Sequence, residues 1–550
     1  MVASLVAGIG MRDPSPPDEP RFALAARDMV ESGQWLFPRR GSEFYAEKPA
    51  VFMWLQAAAY RATGNLKLAF LLPSLLASLL TLWLAWDLAR RLWNPRAARY
   101  AAMALFVCLQ FGLQAKRGQI DMVLVGMTTL SLWALLRHLL QGPNWPMAWL
   151  GLFAAGLGTV TKGVGFLPVL VLLPWLALRW PGPARLSYWA AGDGWRWAGG
   201  ALAFGAGTAV WLAPMLIVAL NSGDSALLQY ARELLLRQTG ERYANAWHHV
   251  QPAWYYLQVM ATLWLPGVLL VPWLLPAWWR RLRRGDPRLW LLLGWSMLVL
   301  LFFSASPGKR EVYLFPMLPA LCVAAAPLLP GLLQRLAVRR TLAGYLLVMG
   351  LAACIFSIAA MSGWSGWAMN LATQRGIEAG PLWSLLVWML GLGLASLLLV
   401  MWAQLQRVGS ALVLFTALLW TTYGLGFEPA VDADSSGREL MQRVASHIGP
   451  DAQLGMLAWR EQHLLQSDRP VVDFGFKQTW QAQWQAAAPW LREDPAKRWL
   501  FVLDEAVGPC VDASRSVAIG SSNRKDWVLV PGDALLPGCE TPPLQDALTH

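Results

Sequence analysis

Residues 66–86 read LKLAFLLPSLLASLLTLWLAW and contain a single charged side chain, Lys67. A run of about 20 apolar residues is long enough to cross the hydrocarbon of a membrane as a helix. Similar runs, separated by Arg, Gly and Pro, recur along the 550-residue chain, which is 56% hydrophobic and only 14% charged. This composition excludes an ordinary soluble globular protein. Because a helix satisfies its own backbone hydrogen bonds, we expect an α-helical polytopic membrane protein.

Hydropathy extends this prediction to both sides of residues 66–86. The predicted spans lie at residues 66–86, 100–115, 120–136, 147–161, 163–178, 197–220, 255–276, 289–304, 312–333, 341–362, 383–404 and 410–427. Residues 1–11 are also apolar, but they amount to about half of a span and no basic leader precedes them. We interpret them as a truncated first helix; the alternative is a short helix lying against the bundle. Together these segments predict about 13 transmembrane helices.

The loops between these spans alternate in character. One set contains many arginines: Arg90, Arg91, Arg96, Arg99, Arg137, Arg179, Arg185, Arg196, Arg280, Arg281, Arg283, Arg284, Arg288, Arg335, Arg339, Arg340 and Arg407. By the positive-inside bias this set is cytoplasmic. The other set mixes acids, bases, histidines and aromatics, so we expect it to be extracytoplasmic and functional. The net charge of +12 therefore reflects membrane topology, and we expect no nucleic-acid partner.

The apolar runs shorten to strand length after residue 427. Candidate strands lie at 454–459, 470–474, 499–503 and 527–530, and helical patterns lie at 439–448 and 479–490. This alternation predicts a small extracytoplasmic α/β domain at residues 428–550, after a transmembrane domain at residues 1–427 with a first external loop at 12–65. The domain contains two of the five cysteines, Cys510 and Cys539. A disulfide between them would require an oxidising compartment.

The first external loop contains the densest polar cluster, PDEPR at 17–21 and FYAEKP at 44–49. In sugar transfer a carboxylate can accept the proton of an attacking hydroxyl, and cations can stabilise the departing phosphate. Asp18 suits the first role, and Arg21 and Lys48 suit the second. In the alternative, Asp18 only caps a helix and Lys48 only anchors the chain at the membrane surface. An amphipathic stretch around 22–30, and a second at 227–243, could lie in the headgroup plane.

Five short motifs follow one another along the chain: DEPR at 18–21, YAEKP at 45–49, GQID at 118–121, TKG at 161–163 and SPGKREVY at 306–313. In this order they resemble the loop motifs of the C-type glycosyltransferases that use polyprenyl-phosphate sugars. Within that family they resemble the bacterial aminoarabinose transferases that modify lipid A. The matches extend over residues 13–330, and their order is more specific than any one motif.

The resemblance implies a GT-C-like fold and an inverting transfer of a sugar, with aminoarabinose favoured. The donor would be an undecaprenyl-phosphate sugar and the acceptor a phosphate of lipid A or another outer-leaflet lipid, at the periplasmic face of the bacterial inner membrane. It implies catalytic roles for Asp18 and Asp121, donor-phosphate binding by Arg21, Lys48, Tyr313, Lys162 and Arg310, and further site candidates Glu19, Tyr45, Glu47 and Lys309. Sugar and acceptor stay open, because the loop at 304–313 reads SASPGKREVY where the aminoarabinose group often has an SKGKLPTY-like loop.

A metal site is a weaker hypothesis. His248 and His249, with Glu47 and Glu241, occupy the same predicted face. Adjacent histidines on a helix do not easily point at one ion. We therefore expect no required cofactor and leave a divalent metal open. The glycines at 156, 158, 163 and 165 are interpreted as sites of close helix packing.

Two other functions compete with this interpretation. A lipid or sugar transporter would also need many spans, but transporters place their ionisable residues near the bilayer midplane. Here the polar groups lie in loops at one face, which favours an interfacial enzyme. Within the enzyme class, a protein mannosyltransferase-like or other glycolipid glycosyltransferase could share the same scaffold.

Overall fold

The computed structural model describes residues 1–179, 192–236, 250–363, 366–367, 369–370 and 379–536. In this part of the chain the α-helices are α1 Val2–Val6, α2 Glu19–Ser32, α3 Val51–Thr63, α4 Leu66–Ala69, α5 Leu72–Leu92, α6 Pro95–Val107, α7 Leu109–Ala115, α8 Ile120–Gln141, α9 Trp145–Lys162, α10 Leu172–Arg179, α11 Asp193–Asn221, α12 Ser225–Arg232, α13 Tyr255–Leu263, α14 Val271–Arg283, α15 Pro287–Ala305, α16 Leu318–Ala325, α17 Leu329–Leu332, α18 Leu336–Met361, α19 Ala379–Ala403, α20 Val408–Thr422, α21 Glu428–Ser435, α22 Arg438–Ile448, α23 Glu461–Gln466 and α24 Trp480–Glu493. The strands are β1 Arg39–Arg40, β2 Glu43–Phe44, β3 Gln453–Leu457, β4 Val471–Asp473, β5 Arg498–Leu503, β6 Val517–Ser522 and β7 Lys525–Pro531. The predicted class, a helical bundle with a small C-terminal α/β part, is confirmed.

Long apolar helices establish a multi-pass membrane protein. Within the described residues, 7 helices are long and apolar enough to span a membrane, or 8 if α13 and α14, bent by 101°, form one span. The predicted number of about 13 is not confirmed, because several predicted spans are broken or short. Cys108 separates α6 from α7. Two proline-containing apolar helices also fall below spanning length: Leu167–Leu178, a tight 3-10 turn followed by α10, and Phe315–Ala325, such a turn followed by α16.

Glycines bring α9 and α11 into close contact. A Cβ added at Gly156 would lie 2.2 Å from the carbonyl oxygen of Phe204, and one at Gly207 would lie 2.3 Å from that of Phe153. Only glycine permits backbones to approach this closely. The prediction that the glycines near residue 156 serve helix packing is confirmed.

The first external segment forms α2, the hairpin β1–β2 and α3. The predicted amphipathic helix is present as α2, but its apolar residues Ala26 and Met29 are buried within the protein. Phe22 packs edge-on against Phe52 of α3, with ring centroids 5.1 Å apart. The expectation that this face lies among lipid headgroups is therefore wrong, because protein covers it. The second predicted stretch coincides in part with α12, and residues 237–243 lie outside the described ranges.

The C-terminal part is built on one sheet of order β4-β3-β5-β7-β6. Strand β3 pairs in parallel with β4 and β5, whereas β7 pairs antiparallel with β5 and β6. Each predicted strand overlaps an observed one. Strand β6 was not predicted, because the apolar run in VAIGSS at 517–522 is only three residues long. The helical run Val408–Ile448 crosses residue 427, so the domain boundary stays a prediction.

The cysteines divide between the two parts. Cys108, Cys322 and Cys354 are free and buried in the bundle. Cys510 is disulfide-bonded, and Cys539 lies outside the described residues.

Candidate functional site

Asp18 lies at the junction of three segments that are distant in sequence. It directly precedes α2, yet its side chain makes no capping hydrogen bond to that helix. Its Oδ2 instead accepts hydrogen bonds from Gln119 Nε2 and from Arg310 Nη2, both at 3.4 Å. These contacts argue against the alternative in which Asp18 is only a helix cap.

Asp121 and Lys162 form a second junction, at the start of α8 and the end of α9. Their side chains are ion-paired and mostly buried. The Nζ of Lys162 also lies 5.5 Å from the ring centroid of Tyr313, which stacks on Phe303 at 5.0 Å. The structure thus brings together three residues that the sequence placed in three separate motifs.

Arg310 connects the two junctions. Burial lowers its pKa, but Asp18 and then Asp121 raise it, and the net shift is upward. The guanidinium, paired with Asp18, therefore stays charged and is also stabilised by the charge of Asp121. We call Asp18, Asp121, Lys162, Arg310 and Tyr313 the aspartate cluster.

A closed ring of alternating charges lies beside this cluster. Arg21 Nη1 is 3.7 Å from Glu47 Oε2, and Glu47 Oε1 is 3.4 Å from Arg40 Nη2. Arg40 Nη1 is 3.4 Å from Glu461 Oε1, which is 3.1 Å from Arg21 Nε. We call these four residues the charge ring. Arg21 also lies 3.8 Å from Asp18, so the ring adjoins the aspartate cluster.

Tyr45 and Lys48 lie on the segment that carries Glu47. Tyr45 is fully buried, with the guanidinium of Arg40 5.3 Å from its ring centroid. Burial raises the pKa of the Tyr45 hydroxyl, and Glu47 adds to the effect, so the group remains protonated at neutral pH. Lys48 is half-buried directly after Glu47. Its predicted role toward a phosphate stays a prediction.

Two of the predicted site candidates, Glu19 and Lys309, make contacts that stabilise the surrounding loops. Glu19 is buried, makes two hydrogen bonds with Arg12 at 2.5 and 2.7 Å, and accepts from the backbone of Gly118 at 2.8 Å. Lys309 is also buried and donates to the carbonyl oxygens of Ser306 and Gln251 at 2.8 and 3.3 Å. These contacts fix the loops that carry Glu19 and Lys309. They do not support the site roles predicted for the two residues.

The metal hypothesis is not tested. His248, His249 and Glu241 lie outside the described residues, and the carboxylate of Glu47 is engaged by two arginines. No cluster of three or more His, Cys, Asp or Glu side chains suited to a metal occurs in the part of the chain that is described.

Sequence reasoning missed Gln119, Arg40 and Glu461. Gln119 stands inside the GQID motif, next to a residue that was singled out, and Arg40 belongs to the polar first loop. Glu461 had no such signal, because it belongs to the C-terminal domain, 440 residues from its partner Arg21.

Comparison with known families supports the same scaffold. Residues 47–188 match the family model described as dolichyl-phosphate-mannose-protein mannosyltransferase. Residues 244–376 match that of the Alg9-like mannosyltransferase family. Each model covers about a quarter of the chain.

Individual relatives extend the match. The undecaprenyl phosphate-alpha-4-amino-4-deoxy-L-arabinose arabinosyl transferase of Pseudomonas aeruginosa is 33% identical over 362 residues, which cover 63% of this chain and 61% of that relative. A protein of the same description from Proteus mirabilis is 29% identical over 321 residues, 56% of this chain and 54% of the relative. The chain thus matches less than two thirds of the length of these relatives.

Solved structures agree over nearly the whole chain. ArnT from Cupriavidus metallidurans superposes with a TM-score of 0.74 in the apo state, covering 98% of this chain and 97% of that protein at 20% identity. The form bound to undecaprenyl phosphate gives 0.72, with 96% of each chain covered, also at 20% identity. The fold is that of the C-type glycosyltransferases. The resemblance inferred from the five motifs is therefore confirmed, and it includes the likeness to aminoarabinose transferases.

Proposed function

We propose that this chain is an inverting glycosyltransferase that moves aminoarabinose from undecaprenyl phosphate to a phosphate group of lipid A. The observation that carries the proposal is the convergence of Asp18, Asp121, Lys162 and Arg310 at one set of loops. The relatives described as arabinosyl transferases, and the ArnT structure bound to undecaprenyl phosphate, supply the substrate class.

The cations of this region suit a reaction in which charge develops on a leaving phosphate. As the bond from the anomeric carbon to the donor phosphate breaks, the phosphate gains negative charge, which nearby preorganised cations stabilise. The groups proposed for this task are Arg310 and Lys162 in the aspartate cluster, Arg21 beside it, and Lys48, which directly follows Glu47 of the charge ring.

The two aspartates would act on the acceptor and the sugar. A phosphate oxygen on lipid A is already largely ionised near neutral pH, so its attack requires no strong base. Asp18, which is partly exposed, would then orient an amine or hydroxyl of the reacting sugar. Asp121, which is paired with Lys162, would hold that lysine toward the donor.

Mass spectrometry of lipid A from cells with and without the chain tests the proposal. Added aminoarabinose that depends on the wild-type chain, and is absent with Asp18→Asn, is the expected result. Unchanged lipid A, together with no transfer from undecaprenyl-phosphate aminoarabinose by the purified chain, would contradict it.

Mannosyl transfer is the second candidate. It is favoured by the two mannosyltransferase family models that match residues 47–188 and 244–376. Mannose on a protein or lipid acceptor in the same cells, with lipid A unmodified, would select this alternative.

We further propose that the site and the C-terminal domain face the periplasm. The Arg-rich loops at the opposite end and the disulfide-bonded Cys510 support this orientation. The native cysteines of the bundle are buried, so an added cysteine can be labelled selectively. In intact cells an impermeant thiol reagent should label Ala496→Cys, which is exposed, but not the exposed Arg284→Cys on the other side. The reverse pattern would overturn the orientation.

A further inference from the structure

We infer that Glu461 of the C-terminal domain is a positioning residue for Arg21 in the transfer reaction. The inference rests on the proposed function, because it concerns the arginine assigned to the donor phosphate. Glu461 would act through Arg21 and would not contact the substrate.

Glu461 closes the charge ring. Without it, Glu47 would be the one carboxylate of the ring that joins Arg21 to Arg40, and Arg21 would keep only the carboxylates of Glu47 and the more distant Asp18. Glu461 is only 5% exposed, and in such a desolvated place an ion pair is stronger than at a protein surface. It also engages Arg21 through Nε, whereas Nη1 of Arg21 is directed to Glu47 and Asp18. Holding the Nε edge leaves the Nη end of the guanidinium oriented toward the aspartate cluster.

The helix that carries Glu461 is itself docked on α2. Arg27 of α2 donates hydrogen bonds to the carbonyl oxygens of Leu464 and Leu465, at 3.1 and 3.3 Å. The ring of Phe476, also from the C-terminal domain, packs against Arg40, whose guanidinium carbon lies 3.7 Å from the ring centroid. Both arginines of the charge ring are therefore oriented by groups that the transmembrane part does not supply.

A second contact between the same two parts offers a matched control. Asp473 accepts hydrogen bonds from the backbone N and the Oγ of Ser42, at 2.9 and 2.6 Å. It joins the C-terminal domain to the turn of the β1–β2 hairpin in an exposed place. Asp473→Asn thus weakens the docking of the domain, and the substituted side chain is not part of the charge ring.

The test compares Glu461→Gln, Glu461→Asp and Asp473→Asn with the wild type in purified protein. We expect kcat of Glu461→Gln to fall about 10- to 100-fold, the loss expected for a misplaced reactive group. Its affinity for undecaprenyl phosphate should be unchanged or higher, because the substitution leaves the region more positive. Glu461→Asp should recover part of kcat, and Asp473→Asn should stay within about twofold of the wild type.

Two further measurements separate positioning from folding. In an Arg21→Ala background, adding Glu461→Gln should cost little more, because its target is already absent. Equal kcat in Glu461→Gln and Asp473→Asn, or parallel losses of affinity and melting temperature in Glu461→Gln, would overturn the inference. If the wild type itself neither transfers sugar nor binds undecaprenyl phosphate, the proposed function fails instead. An active wild type with an unaffected Glu461→Gln variant refutes only the positioning role.

Discussion

Arginine–carboxylate pairs lie at both ends of the bundle, but they are built differently. At the Arg-rich end, Asp87 of α5 pairs with Arg90 at 2.7 Å and Arg91 at 2.5 Å, and Asp286 pairs with Arg288 at 2.9 Å. These partners are two to four residues apart, so local geometry alone brings them together. Ser74 lies near the start of the same helix, about 20 Å from Asp87 by helix rise. It is at the other end of the bundle, where its Oγ donates a hydrogen bond to the carbonyl oxygen of Gln119.

At that other end local pairs such as Arg21 with Asp18 also occur, but the pairs that join the segments link partners far apart in sequence. Asp18 and Arg310 are separated by 292 residues, Asp121 and Lys162 by 41, and Arg21 and Glu461 by 440. Such pairs form only when several elements have folded around one point. Burying a charge costs free energy, so buried ion pairs between distant segments commonly mark functional sites. Ion pairs between near neighbours in sequence commonly stabilise the ends of helices. The predictions below test this distinction.

The largest expected effect is that of Asp18→Asn. We expect transfer to be abolished with folding and insertion intact, because the substitution removes a charge from the aspartate cluster and not from the core. Asp87→Asn is the matched change at the Arg-rich end, and we expect it to lower the melting temperature while turnover per folded molecule is kept. Purified-enzyme assays with melting curves check both. Turnover of Asp18→Asn within a few-fold of the wild type would reject its role.

The next effect is that of Lys48→Ala. It should cost about 2–4 kcal/mol of transition-state stabilisation, as for the loss of one preorganised donor. Arg283→Ala, at the exposed Arg-rich end, should cost almost nothing. The quantity to measure is kcat/KM, normalised to folded protein. Equal losses in the two variants would mean that folding or insertion is affected, and the phosphate assignment would have to be abandoned.

A smaller effect concerns the pair of Asp121 and Lys162. Lys162→Met should lower the free energy of unfolding by about 1–3 kcal/mol, because it leaves a buried carboxylate without its partner. In the double variant Asp121→Asn/Lys162→Met we expect stability to return toward that of the wild type, while turnover stays low. Thermal unfolding and turnover are measured on the same preparations. A double variant with recovered turnover would mark this pair as structural, like those of the Arg-rich end.

The smallest effect near neutral pH comes from His463, on the helix that carries Glu461. Burial, and to a lesser extent Arg460, lower its pKa from 6.5 to about 3. The unfolded chain therefore binds the proton more readily than the folded chain below pH 6.5. Stability of the C-terminal domain should fall as the pH drops from about 6.5 toward 3, by about 1 kcal/mol between pH 7 and 5.5.

The control for this pH effect is His463→Gln, which should flatten the slope in that window. Intrinsic fluorescence of the tryptophan-rich domain core during urea unfolding at several pH values provides the measurement. An identical slope in the variant would assign the acid sensitivity to other groups.

Much of the fold followed from local patterns. Apolar runs, interrupted by Arg and Pro, were enough to predict a helical membrane protein, because the length of a span is set by the thickness of the hydrocarbon. Alternating short runs after residue 427 located four of the five strands of the C-terminal sheet. The number of spans did not follow. A helix break such as that at Cys108 depends on how the neighbouring helices pack. Hydropathy, which is averaged over a window of residues, does not detect such a break.

The site was predictable only in part. Motif order, through its resemblance to the C-type glycosyltransferases, predicted Asp18, Asp121, Lys162 and Arg310 as site residues, and the structure brings them together. Motif order did not distinguish Glu19 and Lys309, whose charges are used internally, from neighbours that face the cluster, since direction depends on packing. The sequence by itself determined the class of protein and predicted that its polar residues gather in loops on one face. Only the tertiary structure decided that Glu461 completes the charge ring, because a contact across 440 residues leaves no local pattern.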